Sequence, residues 1–306
     1  MITLNGEREL TRIHDFADIL SRPGFDGQLD PNAHELEAII GSYALRDKIP
    51  CGLSNCRTPH VRGYLVATKD GRTTNIGKDC GRIYFGVDFE TMLSQFTRDI
   101  ADKENRERLW SFSFRLDELN ASVASLRKGE AGAPGADWVH KKSRALIVLN
   151  SGCPAPVVRR VVQLLRTGGD EVVGTREATR EEIEREEART GRKVQRPHYV
   201  EVVVGRVGHL DALRSENDLR EILVVDLETN LKAFAELDID NLPPSQLSYW
   251  AKWSGGVELA LERAGESVRM GRALLTAENL APLATLVSDP AEVAQFKAYV
   301  ASLAAP

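Results

Sequence analysis

The apolar positions along the chain change period several times, and each change marks a predicted element. Asp15–Leu20 and Asn32–Leu45 carry apolar residues at helical spacing, with Leu36, Ile39, Ile40 and Tyr43 on one face. Pro23, Gly24, Asp26 and Gly27 separate these two predicted helices. The period then shortens. Gly63–Thr68 reads as a strand, Lys69-Asp70-Gly71-Arg72 as a turn, and Thr73–Ile76 as the return strand of a hairpin. From Phe89 to Arg127 the pattern is helical and free of Pro and Gly. Apolar or small residues recur at steps of three and four through Ala101, Leu109, Phe112, Leu116, Leu119, Val123 and Leu126, broken at Asn105. The later positions fit a heptad seam on a helix of roughly 60 Å, which predicts a coiled-coil partner from this chain or a second copy.

Residues 128–137 read as a linker. Trp138–Asn150 and Ala155–Arg166 are predicted helices, separated by Ser151-Gly152-Cys153-Pro154. Glu171–Gly174, Tyr199–Val207 and Ile222–Leu227 are predicted strands. Thr179–Arg189 is a charged helix opened by a Thr179–Glu182 capping box. Beyond Glu228 the chain reads as helical, punctuated by Pro243-Pro244, Gly255-Gly256 and Pro290. The predicted class is α+β, mostly helical, with a small β-hairpin module, a long helix, a minor sheet and a helical C-terminal region. Three regions are expected: 1–87 with the hairpin module, 88–128 as the long helix, and 138–306 as a mixed then helical domain.

Composition supports a folded chain. Of 306 residues, 42% are hydrophobic and 28% charged, near the globular norm. No run of about 18 apolar residues is present, so no membrane-spanning helix is expected. Met1–Arg12 lacks a basic start followed by an apolar stretch, and four cysteines do not make a disulfide scaffold. A reducing, cytoplasmic setting is the expectation. The net charge of −5 hides two basic islands. Arg46–Tyr84 holds eight bases against three acids, and Trp138–Gly169 holds six bases and no acid. These islands carry +5 and +6, leaving −16 for the rest of the chain. The arginines and lysines either pair with the chain's own acids or form a surface for phosphates or an acidic partner. The candidates for partner contact are Arg57, Arg62, Arg72, Lys78 and Arg82 in the first island, and Lys141, Lys142, Arg159 and Arg160 in the second.

Three of the four cysteines lie in the first island. Cys51-x4-Cys56-x3-His60, a hairpin, and then Cys80 offer three thiolates and one imidazole, a set that closes a zinc tetrahedron with no open position. Gly52, Ser54 and Asn55 suit a tight loop between the first two thiols. Gly77 and Gly81 flank Cys80, and a helix starting nearby would favour its thiolate. Over residues 51–84 this order of knuckle, hairpin and ligand near a helix start resembles a treble-clef zinc finger. The spacing is Cys-x4-Cys rather than Cys-x2-Cys, and Tyr84 stands where a further ligand would fall, so His60 is taken as the fourth ligand and Cys153 as the distant alternative. The resemblance implies a structural Zn²⁺ and names no function. Between Cys51 and Phe85 there is no Glu and one His, which argues against metal-assisted hydrolysis there.

Other signals are weaker. The helix–break–helix of 138–166, followed by strand candidates, has the order of a winged helix, yet Val157, Val158, Val161 and Leu164 suit a buried helix instead. Glu201, Asp226 and Glu228, at predicted strand ends, are the candidates for a divalent-metal site in phosphoryl chemistry. Tyr249, Trp250 and Trp253 read as a core or interface cluster, and His140, His198 and His209 as structural. The expected function is a non-catalytic zinc-containing binding or adaptor protein acting through protein or nucleic-acid contacts. The alternatives are a divalent-metal-dependent nucleic-acid enzyme and a structural coiled-coil component that oligomerises through the 89–127 helix.

Overall fold

The computed structural model describes residues 1–7, 9–130 and 132–304. It is 55% helical and 20% strand, which establishes a mostly helical α+β protein with a small antiparallel sheet and a long helix. In chain order the strands are β1 (Ile2–Asn5), β2 (Leu10–Ile13), β3 (Leu36–Pro50), β4 (Pro59–Thr68), β5 (Thr73–Ile76), β6 (Gly129–Glu130), β7 (Ala133–Pro134), β8 (Glu171–Glu177) and β9 (Tyr199–Arg206). The helices are α1 (Ala17–Leu20), α2 (Lys78–Ser113), α3 (Leu116–Lys128), α4 (Ala136–Ile147), α5 (Ala155–Thr167), α6 (Arg180–Thr190), α7 (Thr229–Ala235), α8 (Pro244–Ser254), α9 (Val257–Leu274), α10 (Ala277–Leu280) and α11 (Pro290–Ala301). No helix among the described residues is long and apolar enough to cross a membrane.

The chain divides into two compact units. The first comprises Met1–Phe112 with Asp238–Ser254, and the second Ser113–Leu237 with Gly255–Pro306. The first unit is a five-stranded antiparallel sheet in the order β2-β1-β3-β4-β5, with α2 packed on it. Phe89 and Phe96 of α2 enter a core made with Leu36, Ile39, Val66 and Ile76, and both meet Tyr64 edge-on at 6.0 and 6.3 Å between ring centres. A second apolar cluster, Ile2, Leu4, Ile19, Tyr43 and Leu65, joins β1, α1, β3 and β4. α8 adds an aromatic group in which Trp253 meets Trp250 at 5.4 Å and Phe112 at 5.7 Å. Tyr249, Trp250 and Trp253 therefore form a packing cluster, as expected.

The hairpin of β4 and β5 follows the sequence expectation, but the helix expected at Asn32–Leu45 is instead most of β3. The reason is bulging. The β3–β4 register shifts between Leu36 and Ala38 and again between Ile39 and Gly41. The first extra residue turns a two-residue alternation into a three-residue step, so Leu36 and Ile39 are both buried and imitate a helical period. Only Ile39, Gly41 and Tyr43 show the plain alternation. The expected single helix of 89–127 also differs. α2 begins eleven residues earlier, at Lys78, bends at Gly86 (φ 57°), and ends at Ser113, with a turn at Phe114-Arg115 before α3. The seam positions Leu109, Phe112, Leu119 and Val123 are all buried within the chain.

In the second unit, α3, α4, α5 and α9 pack together with a wide-turned π-helical segment, Glu221–Glu228. This segment corrects the strand expected at Ile222–Leu227. A short apolar run does not distinguish strand from buried helix. Here Leu223 and Leu227, four apart, are fully buried on one face. The capping box forms as expected at the start of α6: Thr179 Oγ1 accepts from Glu182 N–H, and Glu182 accepts from Thr179 N–H at 2.8 Å. β8 and β9 make a two-stranded ribbon. α5 buries Val157, Val158, Val161 and Leu164, the face expected of a packed helix.

Candidate metal centre

The loop after β3 is held at many points, and this holding aims two of its cysteines. Cys51 N–H donates to Thr58 O at 3.1 Å, Cys56 N–H to Leu53 O at 3.3 Å, and Gly52 N–H to Asn75 O at 2.7 Å. Asn75, buried in β5, donates through Nδ2 to Pro50 O at 2.9 Å. The hairpin then returns the chain, and α2 starts two residues before Cys80, placing that thiol in the first helical turn. Gly77 and Gly81 serve packing as well as reach. A Cβ on Gly77 would lie 2.9 Å from the His60 ring, and one on Gly81 would lie 2.4 Å from Phe89.

The ligand atoms of Cys51, Cys56 and Cys80 all lie within 4.8 Å of one another, and Cys56 and Cys80 are 3.2 Å apart. The edge of a ZnS4 tetrahedron with Zn–S of about 2.3 Å is roughly 3.8 Å, so the spacing is compatible with one small thiophilic cation. Cys51 and Cys80 are buried and Cys56 is half-buried. All three are free thiols. Burial pushes the Cys51 thiol up, against backbone N–H groups of Leu53 and Gly77 that favour its thiolate. Burial also pushes Cys80 up, to about 12, aided by its two thiol neighbours. Burial acts the same way on Cys56, but hydrogen bonds from the Thr58 hydroxyl and N–H outweigh it and bring that thiol below the usual range. Hydrogen bonding thus favours the thiolate at Cys56, and burial favours the thiol at Cys51 and Cys80.

His60, expected as the fourth ligand, is not among the residues whose ligand atoms lie within 4.8 Å of one another. Its ring stacks on Tyr43 at 5.8 Å, and its Nδ1 shares a hydrogen bond with the Tyr43 hydroxyl at 3.0 Å. Its Nε2 is buried without a hydrogen-bond partner among the described residues, and burial lowers its pKa, favouring the neutral imidazole. Its contact with Gly77 puts it next to the residue whose N–H serves Cys51. The thiols form an incomplete donor set of three, and the imidazole is a separate buried donor held by Tyr43. Cys153, the alternative fourth ligand, is buried in the second unit at the start of α5, outside the thiol group. Tyr43 and Asn75 were not legible as site residues, because one read as a helical core position and the other as an ordinary strand residue.

The first basic island is divided by the fold. Arg72 pairs with Asp26 at 2.9 Å and Asp70 at 3.4 Å, Arg82 with Glu90, and Lys69 with Glu35 at 2.5 Å. Arg57, at φ 56°, donates to Gly27 O at 3.4 Å. Arg62 and Lys78 are exposed and have no ion pair among the described residues. In the second island, Lys142 donates to Ser302 Oγ at 2.8 Å and Arg160 to Glu171 O at 2.7 Å, while Lys141 and Arg159 are exposed. The carboxylate site does not assemble. Glu201 is exposed on β9, Glu228 pairs with Arg127, and Asp226 accepts from Asn230 at 3.0 Å on the π-helical segment. Among the described residues the three thiols are the one group of metal-binding side chains brought together.

Compared with protein-family models, with curated proteins and with solved structures, the chain matches none.

Proposed function

We propose that this chain is a non-catalytic binding protein whose first unit is braced by a structural Zn²⁺ held by Cys51, Cys56, Cys80 and His60. The convergence of three thiols from two distant chain segments carries this reading. Bound zinc supplies rigidity: it ties the knuckle loop to the first turn of α2 and leaves no coordination position for substrate. Tyr43 orients His60 through Nδ1, as a second partner commonly does for a metal-binding histidine. The braced end of the sheet presents Arg62 and Lys78 to an acidic partner, protein or nucleic acid.

The test is elemental analysis of the purified full chain, with one zinc per chain expected. Replacement of zinc by cobalt should give the visible absorption of a tetrahedral sulfur-rich site. His60→Ala should weaken the cobalt site and change its spectrum, while Cys80→Ser should abolish it. A chain without stoichiometric zinc that also fails to take up cobalt would end the proposal. For the surface, Arg62→Glu with Lys78→Glu should abolish salt-sensitive retention on an anionic resin or duplex DNA. Unchanged retention would remove these two residues from the binding face.

A further inference from the structure

The second basic island is not absorbed by the metal centre, and one of its arginines lines a cavity in the second unit. This cavity has a volume of about 390 Å³, within the range of small-molecule sites. One wall is a single face of α4, where His140, Ser143, Arg144 and Ile147 follow at steps of three, one and three. The other wall is the tight-turned segment Leu210–Asn217 with Asp218 and Leu219. Val139, Ile147, Leu213 and Leu219 make much of the lining apolar.

The polar groups are few, and their bonding differs. Asp218 is bonded through Oδ1, which accepts from Arg220 N–H at 2.9 Å and lies 3.4 Å from His140 Nδ1. Asn217 is occupied as well, donating to Asp211 O at 2.9 Å and accepting from Ser267. Arg214 is bonded to Asp211 through Nε at 2.6 Å, with no described acceptor for its terminal nitrogens. Arg144 has no ion pair among the described residues. Ser143 is 9% exposed, and its hydroxyl has no hydrogen-bond partner among the described residues. A buried helical serine can bond the carbonyl four residues back, and the Ser143 hydroxyl does not do so. Leaving such a group buried and unbonded costs about 1–3 kcal/mol, which an acceptor in the cavity would recover.

We propose that this cavity binds a small oxyanion with an apolar body, a carboxylate or a phosphate monoester. Arg144 and the terminal nitrogens of Arg214 supply the positive charge, Ser143 donates to the headgroup, and the apolar lining takes the body. The site belongs to the second unit and is independent of the metal centre.

The experiment is a methyl-NMR titration of the full chain with phenyl phosphate and with phenylacetate, and with benzyl alcohol as the neutral control. Both walls should respond, with saturable shifts at Val139, Ile147, Leu213 and Leu219. The neutral control should bind about tenfold more weakly than the better anion. Arg144→Gln, an exposed change that keeps the fold, should weaken the anion about tenfold. Ser143→Ala should weaken it severalfold, with methyl spectra away from the cavity unchanged. Tighter phenyl phosphate identifies a phosphate ester as the natural class, and tighter phenylacetate a carboxylate. No shift of these methyls at about 10 mM of either anion, or equal affinity in Arg144→Gln, would overturn the proposal.

Discussion

The two units treat buried polar groups in different ways. In the first, the interior polar residues of the hairpin are bonded. Thr68 donates to Asp70 at 2.6 Å, Thr74 to Asp26 O at 2.6 Å and Asn75 to Pro50 O at 2.9 Å. The exception is His60 Nε2, next to Gly77, which precedes α2. In the second unit the core is almost wholly aliphatic and the exceptions are Ser143 Oγ, in a cavity wall, and Arg160 Nε, on a guanidinium already bonded through both terminal nitrogens. Proteins rarely leave buried polar atoms unbonded, because each costs the full loss of its hydration. Two of the three such atoms among the described residues belong to the two sites proposed for this chain, one for a cation and one for an anion.

The largest expected effect breaks this comparison at the metal. Chelation of zinc, or Cys80→Ser, should open the first unit by on the order of 5 kcal/mol, read as lost hydrogen-exchange protection in β4 and β5. Amides of α4, α5 and α9 should keep theirs. Equal loss in both units would show that the brace is not local. Next, Leu227→Ala, at a fully buried position of the π-helical segment, should cost about 3 kcal/mol of unfolding free energy in denaturant melts. Zinc content should be unchanged, which tests the same separation from the other side.

Tyr43→Phe should cost about 1 kcal/mol through the lost hydroxyl contact to His60. It should also weaken zinc binding by about tenfold in competition with a chromogenic chelator. A stability loss with unchanged zinc affinity would make Tyr43 a packing residue only.

The smallest effect is electrostatic. Hydrogen bonding by Arg176, then by Thr179 N–H, pulls the Glu182 carboxyl down to about 2. The folded value lies below the unfolded one, so protons favour the unfolded form. The contribution is complete above pH of about 4.5 and fades as pH falls toward 2. Glu182→Gln should flatten the acid dependence of α6 helicity between those limits, with little change at neutral pH because the side chain is exposed and screened.

Much of the architecture was legible where local signals are strong. The β4–β5 hairpin follows from Asp70-Gly71 between two β-like runs, and α6 from its capping box. α5 follows from a valine-rich face closed by Gly168 in the left-handed region. The thiol group was legible too, because loop, hairpin and helix start are local features whose sum brings Cys51, Cys56 and Cys80 together. The failures have a common cause. β3 and the segment Glu221–Glu228 are apolar stretches whose period is distorted, by bulges in one and by wide turns in the other. Period alone then points to the wrong element, and only packing neighbours decide.

The class, the hairpin, the three clustered thiols and the unequal spread of charge are written in the sequence. These depend on residue type and near-neighbour spacing. Tertiary structure alone decided which cations are free, since Arg72 and Arg82 find acids and Arg62 and Lys78 do not. It also brought Tyr43 to His60 across 17 residues and set the Ser143 hydroxyl in a cavity wall. Those outcomes depend on which distant groups are excluded from water together, and no local pattern carries that information.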